Sequence, residues 1–228
     1  MNKWLLIFLL LLCLSLFANA EEKSRQSGIE ENTAEYFLQM HSLKGPTGFI
    51  YNPSAEVLAP KNYSLGIHIH IVKGSYGLLP NLEVGGSVEE MKEKIVPHLN
   101  VKYKFPRQLK YLVEFAGGIT DEEIYVVGQK NFLNLLPWGG QINVAEGIRF
   151  DWKILSPFMD IAGNYQSVMW LVEYSNQRLN LGCRILLSPR VKLDLFLIDL
   201  GSSTPFDFSN FTFGVGISRK WGGGKNGN

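Results

Sequence analysis

The sequence predicts an all-β protein, an antiparallel up-and-down transmembrane β-barrel of about twelve strands, with about ten as the alternative count. Three observations predict it. From Gly45 to Trp221 the chain is a series of short runs in which apolar and polar residues alternate with period two. The runs are joined by connections as short as "TDEE" and "SNQR", which suit antiparallel neighbours. A meander this long leaves two unpaired edges unless it closes on itself, so closure is expected.

The chain has 228 residues and opens with "MNKWLLIFLLLLCLSLFANA". Lys3, the apolar run Leu5 to Leu16 and the small-residue site Ala18-Asn19-Ala20 make residues 1–20 an export signal that is cleaved. Residues 21–44 are polar, a flexible or partly helical lead-in. The barrel domain is placed at residues 45–221, and "GGGKNGN" at 222–228 is read as a disordered tail. Removing the signal removes Cys13 and leaves Cys183, so a disulfide scaffold is excluded. No other stretch has the apolar length of a spanning helix.

In chain order, "LGIHIHIV" sets Leu65, Ile67, Ile69 and Ile71 against Gly66, His68 and His70. "NLEVGGSV" sets Leu82, Val84 and Val88 against Glu83, Gly85 and Ser87. "LNVKYKF" sets Leu99, Val101, Tyr103 and Phe105 against Asn100, Lys102 and Lys104. "KYLVEFAGGIT" opposes Tyr111, Val113, Phe115 and Ile119 to Glu114, Ala116 and Gly118, and "EIYVVGQKNF" alternates less clearly. "QINVAEGIRF" puts Ile142, Val144, Ile148 and Phe150 against Asn143, Gly147 and Arg149; "FMDIAGNY" is the weakest run. "VMWLVEY", "RLNLGCRILL", "VKLDLFLIDL" and "FTFGVGISRKW" complete eleven runs. Pro46, Pro53 and Pro60 keep the preceding segment extended or turned. A short strand at Thr47 to Tyr51, or a segment packed under the barrel, is expected there.

The polar face is rich in small residues, carries both charge signs, and is bounded by aromatic residues at run ends. Those features fit a crowded lumen inside an apolar wall facing lipid. The expected lumen-lining residues are His68, His70, Glu83, Lys102, Lys104, Glu114, Arg149, Glu173, Arg178, Arg184, Lys192 and Asp194. Ile69, Val101, Leu181 and Leu195 are expected to face lipid. A soluble exported barrel binding an apolar ligand is the alternative, with the apolar face turned inward.

A His-X-His pair on one strand projects its rings to the same side, about 7 Å apart. Two zinc ligands would need a third, and His41 and His98 sit in no comparable motif. His68 and His70 are therefore read as lumenal groups hydrogen-bonded to carboxylates such as Glu83, and no metal or other cofactor is expected. No nucleophile and base stand at a spacing that singles them out, and the paired glycines lack a phosphate-loop context. The chain is not read as an enzyme. A formal net charge of +1 gives no footprint for nucleic acid.

"GPTGFIYNPSAEVLAPKNYSLGIHI" resembles the opening of the YjbH-like bacterial outer-membrane barrel family, with its Gly-x-Thr-Gly-hydrophobic segment before the first strong strand. "LPNLEVGGS", "LNVKYKF", "IYVVGQKNF" and "LVEYSNQRLNLGCRILL" resemble its later strands, in order, and the resemblance spans Gly45 to Trp221. "VGISRKW" resembles the terminal strand by which outer-membrane barrels are recognised for assembly, with Phe213, Val215, Gly216, Ile217 and Trp221 as the signal. It departs in having Arg219 where an aromatic is usual. The resemblance implies outer-membrane localisation, with lipid, the barrel-assembly machinery and polysaccharide-export components as partners. It also implies a channel or structural role in exopolysaccharide production or export, here in a barrel-only version.

Overall fold

In a computed structural model of the chain, the described residues are 41–43, 45–91, 94–106, 113–132, 141–188, 190–200 and 210–220. The export signal, residues 21–40 and 44 of the lead-in, Tyr111, Trp221 and the tail at 222–228 lie outside the described residues.

The period-two runs form strands. They are β1 (Asn62–His68), β2 (Ile71–Leu79), β3 (Leu82–Met91), β4 (Lys94–Lys104), β5 (Glu114–Thr120) and β6 (Ile124–Phe132). The second half adds β7 (Gln141–Phe150), β8 (Leu155–Tyr165), β9 (Val168–Ser175), β10 (Arg178–Leu186), β11 (Val191–Leu200) and β12 (Phe211–Lys220). Each strand pairs antiparallel with its chain neighbours, and β12 returns to β1 to close the barrel. The closing ladder runs from Asn62↔Lys220 to His68↔Gly214. Among the described residues, the closed sheet has no free edge.

Twelve strands are reached by a different route from the one the sequence suggests. Thr47 to Tyr51 adds no wall strand; Thr47 and Gly48 make only isolated bridges, to His41 and Pro53. The extra strand comes from "LGIHIHIV", which is a hairpin rather than one strand. β1 stops at His68, Ile69 and His70 form the turn, and β2 begins at Ile71, with His68 opposite Ile71. His70 takes a left-handed φ of 63°, a conformation that His visits more readily than β-branched residues. The continuation "KGSYGLL" hides its alternation because two of its seven positions are glycine and its inward residues are Lys73, Ser75 and Gly77.

The barrel is amphipathic in the inverted sense. Along β1, Ser64, Gly66 and His68 are buried while Leu65 and Ile67 are exposed. On β4, Lys102 is fully buried and Leu99, which has the opposite phase, is 74% exposed. On β12, Phe213, Val215 and Ile217 face out and Gly216 faces in. The inward glycines answer to crowding. A Cβ on Gly214 would stand 2.5 Å from the His68 ring across the β1–β12 ladder.

Two mouths follow from the topology. The terminal mouth carries the start of β1 and the end of β12; the far mouth carries the β1–β2 and β5–β6 turns.

Candidate functional site

The bore is occupied by the chain itself. Residues 41–58, apart from residue 44, lie inside the wall, with Phe49, Ile50, Ala55 and Leu58 fully buried. The sequence places residues 45–58 in the barrel domain, and this segment is an insert within that domain. It has no regular secondary structure. Two turns shape it: Ser42 N donates to Pro46 O at 2.8 Å, and Phe49 N donates to Asn52 O at 2.9 Å. Leu43 N donates to Ile50 O and ties the turns together. Glycine is required at position 48, where a Cβ would collide with Asn52 O.

Without a ladder of its own, the insert needs partners for its main chain. The wall supplies them. Glu173 on β9 accepts the backbone N–H groups of Ile50, Tyr51 and Asn52 on one carboxylate oxygen, at 3.2, 2.7 and 2.9 Å. Its other oxygen accepts from Asn180 Nδ2 at 2.8 Å. Glu83 on β3 accepts from Thr47 N at 3.1 Å and Leu58 N at 3.0 Å, and Gln129 on β6 accepts from Ala55 N at 3.0 Å.

The bases take the carbonyls. Arg184 on β10 donates to Gly48 O at 3.0 Å and to His41 O and Phe49 O, both at 3.4 Å. Lys102 on β4 reaches Thr47 O at 2.8 Å, and Lys73 on β2 reaches Ser42 O at 2.5 Å. Arg184 also donates through Nε to Asp194 Oδ1 at 2.8 Å, both side chains fully buried. Such buried charges are tolerable because each is paired or hydrogen-bonded.

Side-chain contacts to the insert are fewer. Thr47 Oγ1 donates to Glu83 Oε2 at 2.8 Å, and Asn52 Nδ2 to Asp160 Oδ1 at 2.7 Å. Near the terminal mouth, Lys104 Nζ lies between Glu56 Oε2 of the insert at 2.9 Å and Glu114 Oε2 of β5 at 3.1 Å. Burial pushes the Glu56 carboxyl up to about 7; Lys104 opposes this and Glu114 adds to it. Burial holds the His41 imidazole well below its ordinary range, helped by Lys73. Burial likewise raises the Tyr51 phenol, with Asp199 and Glu173 adding to the effect.

The expected lumen residues divide by depth. Glu83, Lys102, Arg149, Glu173, Arg184, Lys192 and Asp194 are buried inside, and Lys104 and Glu114 are partly buried. His68 is inside; its Nε2 lies 3.4 Å from Asp194 Oδ2, and its ring stacks on Phe196. The partner anticipated for it, Glu83, is instead engaged with the insert. Two positions are corrected. His70 is on the far-mouth turn, two-thirds exposed and 3.6 Å from Glu90, because the strand ends before it. Arg178 has the inward phase but is the first residue of β10 after a tight turn. It sits exposed on the rim, paired with Asp199 at 3.0 Å.

Of the residues expected to face lipid, Val101 is exposed on the outward phase, and Leu181 and Leu195 are half-buried on it. Ile69 belongs to the turn rather than to the wall strand. Sequence reasoning missed Lys73, Gln129 and the insert. Their signal is weak: a Lys inside a glycine-rich run, and a proline-punctuated segment of small polar residues.

Above the insert, at the far mouth, a cavity of about 580 Å³ has Leu43 and Tyr51 among its lining residues, with Glu90, His98 and Asp121. His98 Nδ1 is 2.8 Å from Asp121 Oδ2. Among the described residues, no group of three or more His, Cys, Asp or Glu is arranged to hold a metal ion.

No protein-family model matches the chain, and no curated protein matches it. Among solved structures it is similar to a KdgM porin, at 9% identity and a TM-score of 0.44, over 70% of this chain and 98% of that one. A KdgM porin in complex with disordered oligogalacturonate gives 9% identity and a TM-score of 0.45, over the same shares. A triple mutant of the Rhodopseudomonas blastica porin gives 10% and 0.33, over 65% of this chain and 55% of that one. The barrel architecture stands on the strand pairing of this chain.

Proposed function

We propose that the protein is an exported outer-membrane β-barrel, its apolar wall against lipid and its bore closed by its own N-terminal insert. In this reading it is a channel or structural component of the cell envelope rather than an enzyme. The observation that carries it is the inversion of polarity: exposed Ile67, Leu99, Phe213 and Val215 outside, fully buried Lys102, Arg184, Glu173 and Asp194 inside. Water offers no reason to expose a belt of large apolar side chains, whereas lipid does. The soluble alternative needs an apolar interior for its ligand, and this interior is charged and filled.

The barrel-assembly machinery is the partner that the β12 sequence suits. A role in exopolysaccharide production or export, with export components as partners, is the finer proposal; it rests on the resemblance to YjbH-like barrels.

Reconstitution in a planar bilayer tests the central reading. The native chain is expected to conduct weakly or not at all, and Glu173→Ala, which strips three insert amides of their acceptor, is expected to conduct more. A protein that stays dispersed without detergent and yields no current in either form overturns the proposal. Heat-modifiable mobility on gels reports whether each form has folded.

A further inference from the structure

The wall holds the insert chiefly through its main chain, with fewer bonds to its side chains. Six backbone N–H groups, of residues 47, 50, 51, 52, 55 and 58, donate to wall side chains. Six backbone carbonyls, of residues 41, 42, 47, 48, 49 and 54, accept from wall bases. These partners are atoms that nearly every residue carries, and the insert is not paired as a regular strand that would consume them. The acceptors Glu83, Gln129 and Glu173 and the donors Lys73, Lys102 and Arg184 come from six different strands. They surround the bore rather than lining one side.

Spacing adds to the argument. A carboxylate oxygen that meets three consecutive amides is matched to a peptide turn, where successive N–H groups converge on one point. A donor that reaches the carbonyls of two consecutive residues, as Arg184 does with Gly48 and Phe49, is matched in the same way. A sugar chain has no N–H and C=O repeat at that interval. Few inward aromatics offer a stacking platform instead; among the described residues the buried rings of the wall strands are Tyr125, Phe158, Phe196 and the His68 imidazole stacked on Phe196.

We propose that the bore is a binding site for a turned, non-strand polypeptide segment recognised through its main chain, the insert being its resident occupant. Another peptide takes the same donors and acceptors when the insert is out. The proposal rests on the channel reading and names the class of molecule that the channel accepts. Because the insert is tethered, its effective concentration is high, in the millimolar range for a short flexible tether. A free peptide competes only once seating of the insert is impaired.

Gly48→Val provides that state without altering the wall, since its Cβ would collide with Asn52 O within the turn of the insert. Ile50→Asp, which places a charge at a fully buried apolar position, is the second route if the first fails to fold. The measurement is block of current through the full-length variant in a planar bilayer. The probes are a synthetic peptide of residues 41–59, a peptide of the same composition scrambled at every position except Gly48, Phe49 and Ile50, and the native peptide N-methylated at Ile50, Tyr51 and Asn52. A neutral and an acidic oligosaccharide of similar length complete the set.

Native and scrambled peptides are expected to block at similar concentrations, and N-methylation to raise the blocking concentration by at least about tenfold, since charge-assisted bonds are lost. Block by the native sequence alone, by oligosaccharide alone, or by none of the probes overturns the proposal and leaves the channel reading standing. Absence of current in both folded variants overturns both.

Discussion

Glu173 Oε2 accepts the backbone N–H of Asn52 at 2.9 Å while the Asn52 side chain donates to Asp160 Oδ1 at 2.7 Å. Asp160 and Glu173 face each other across the β8–β9 ladder, so one insert residue engages two adjacent wall carboxylates. Hydrogen bonds to a charged acceptor contribute about 1.5–3 kcal/mol each, and a buried donor left unsatisfied is penalised further. Glu173→Ala is expected to unseat the insert around Ile50–Asn52 by at least about 3 kcal/mol. Hydrogen exchange at those three amides reads the change, and protection equal to the native protein would refute it. Glu173→Gln keeps an acceptor and is expected to have a smaller effect.

The Arg184–Asp194 pair supports the same structure from the adjoining strands β10 and β11. Removing one member of a buried pair leaves an uncompensated charge and costs about 3–5 kcal/mol. Arg184→Met is therefore expected to lower stability in urea titrations by that amount. In the double variant Arg184→Met/Asp194→Leu no charge is stranded, and part of the loss should be recovered. A double variant weaker by the full sum of the two single changes would show that the charges act independently.

How much of this is legible in the sequence depends on where a residue's partner lies. Strands such as β4 and β10 are plain because lipid-side residues (Leu99, Val101) and lumen-side residues (Asn100, Lys102) differ sharply in polarity. β2 is not, because its inward residues face the insert and its outward set includes Gly74, so neither face has a strong signature. His70 is misplaced for a related reason: a two-residue turn of Ile and His continues the apolar-polar rhythm across a reversal. For the candidate site, phase alone identifies Glu83, Glu173 and Arg184 as inward. Phase does not reveal that they hold the main chain of residues 41–58, since those partners lie 25 or more residues away in sequence, as for Leu58 and Glu83.

The direction of the wall can be tested by depth. Leu195 lies midway along β11 on the outward phase, and Leu79 ends β2 at the terminal mouth. A lysine on the lipid face is penalised by about 2–4 kcal/mol at the bilayer midplane and about 0–1 kcal/mol near the interface. Leu195→Lys is expected to lower folding stability in lipid vesicles within the larger range, and Leu79→Lys within the smaller. Equal effects at the two depths would count against a membrane-embedded wall.

Glu56 gives the seating of the insert a dependence on pH whose sign follows from burial. The carboxyl titrates at about 7 in the seated insert, against an ordinary value of 4.5 in water. Below 4.5 it is neutral in both states, and its burial carries no charge penalty. Between 4.5 and 7 the released insert has lost the proton while the seated one retains it, so seating weakens as pH rises. Above 7 the penalty is complete, at most about 3 kcal/mol for a difference of that size. His41 acts in the opposite sense: its lowered value weakens seating as pH falls below 6.5. The two effects partly offset in the native protein, so the informative quantity is the difference from Glu56→Gln, in which the His41 contribution is common and cancels. The amide introduced by that substitution stays neutral and can still accept from Lys104, and Lys104 keeps Glu114. Hydrogen exchange at Ala55, corrected for its intrinsic pH dependence, is expected to match in the two proteins at pH 4. At pH 8 the Glu56→Gln variant should be the better protected. A difference that stays constant from pH 4 to pH 8 would mean that Glu56 enters the bore already charged, held by Lys104.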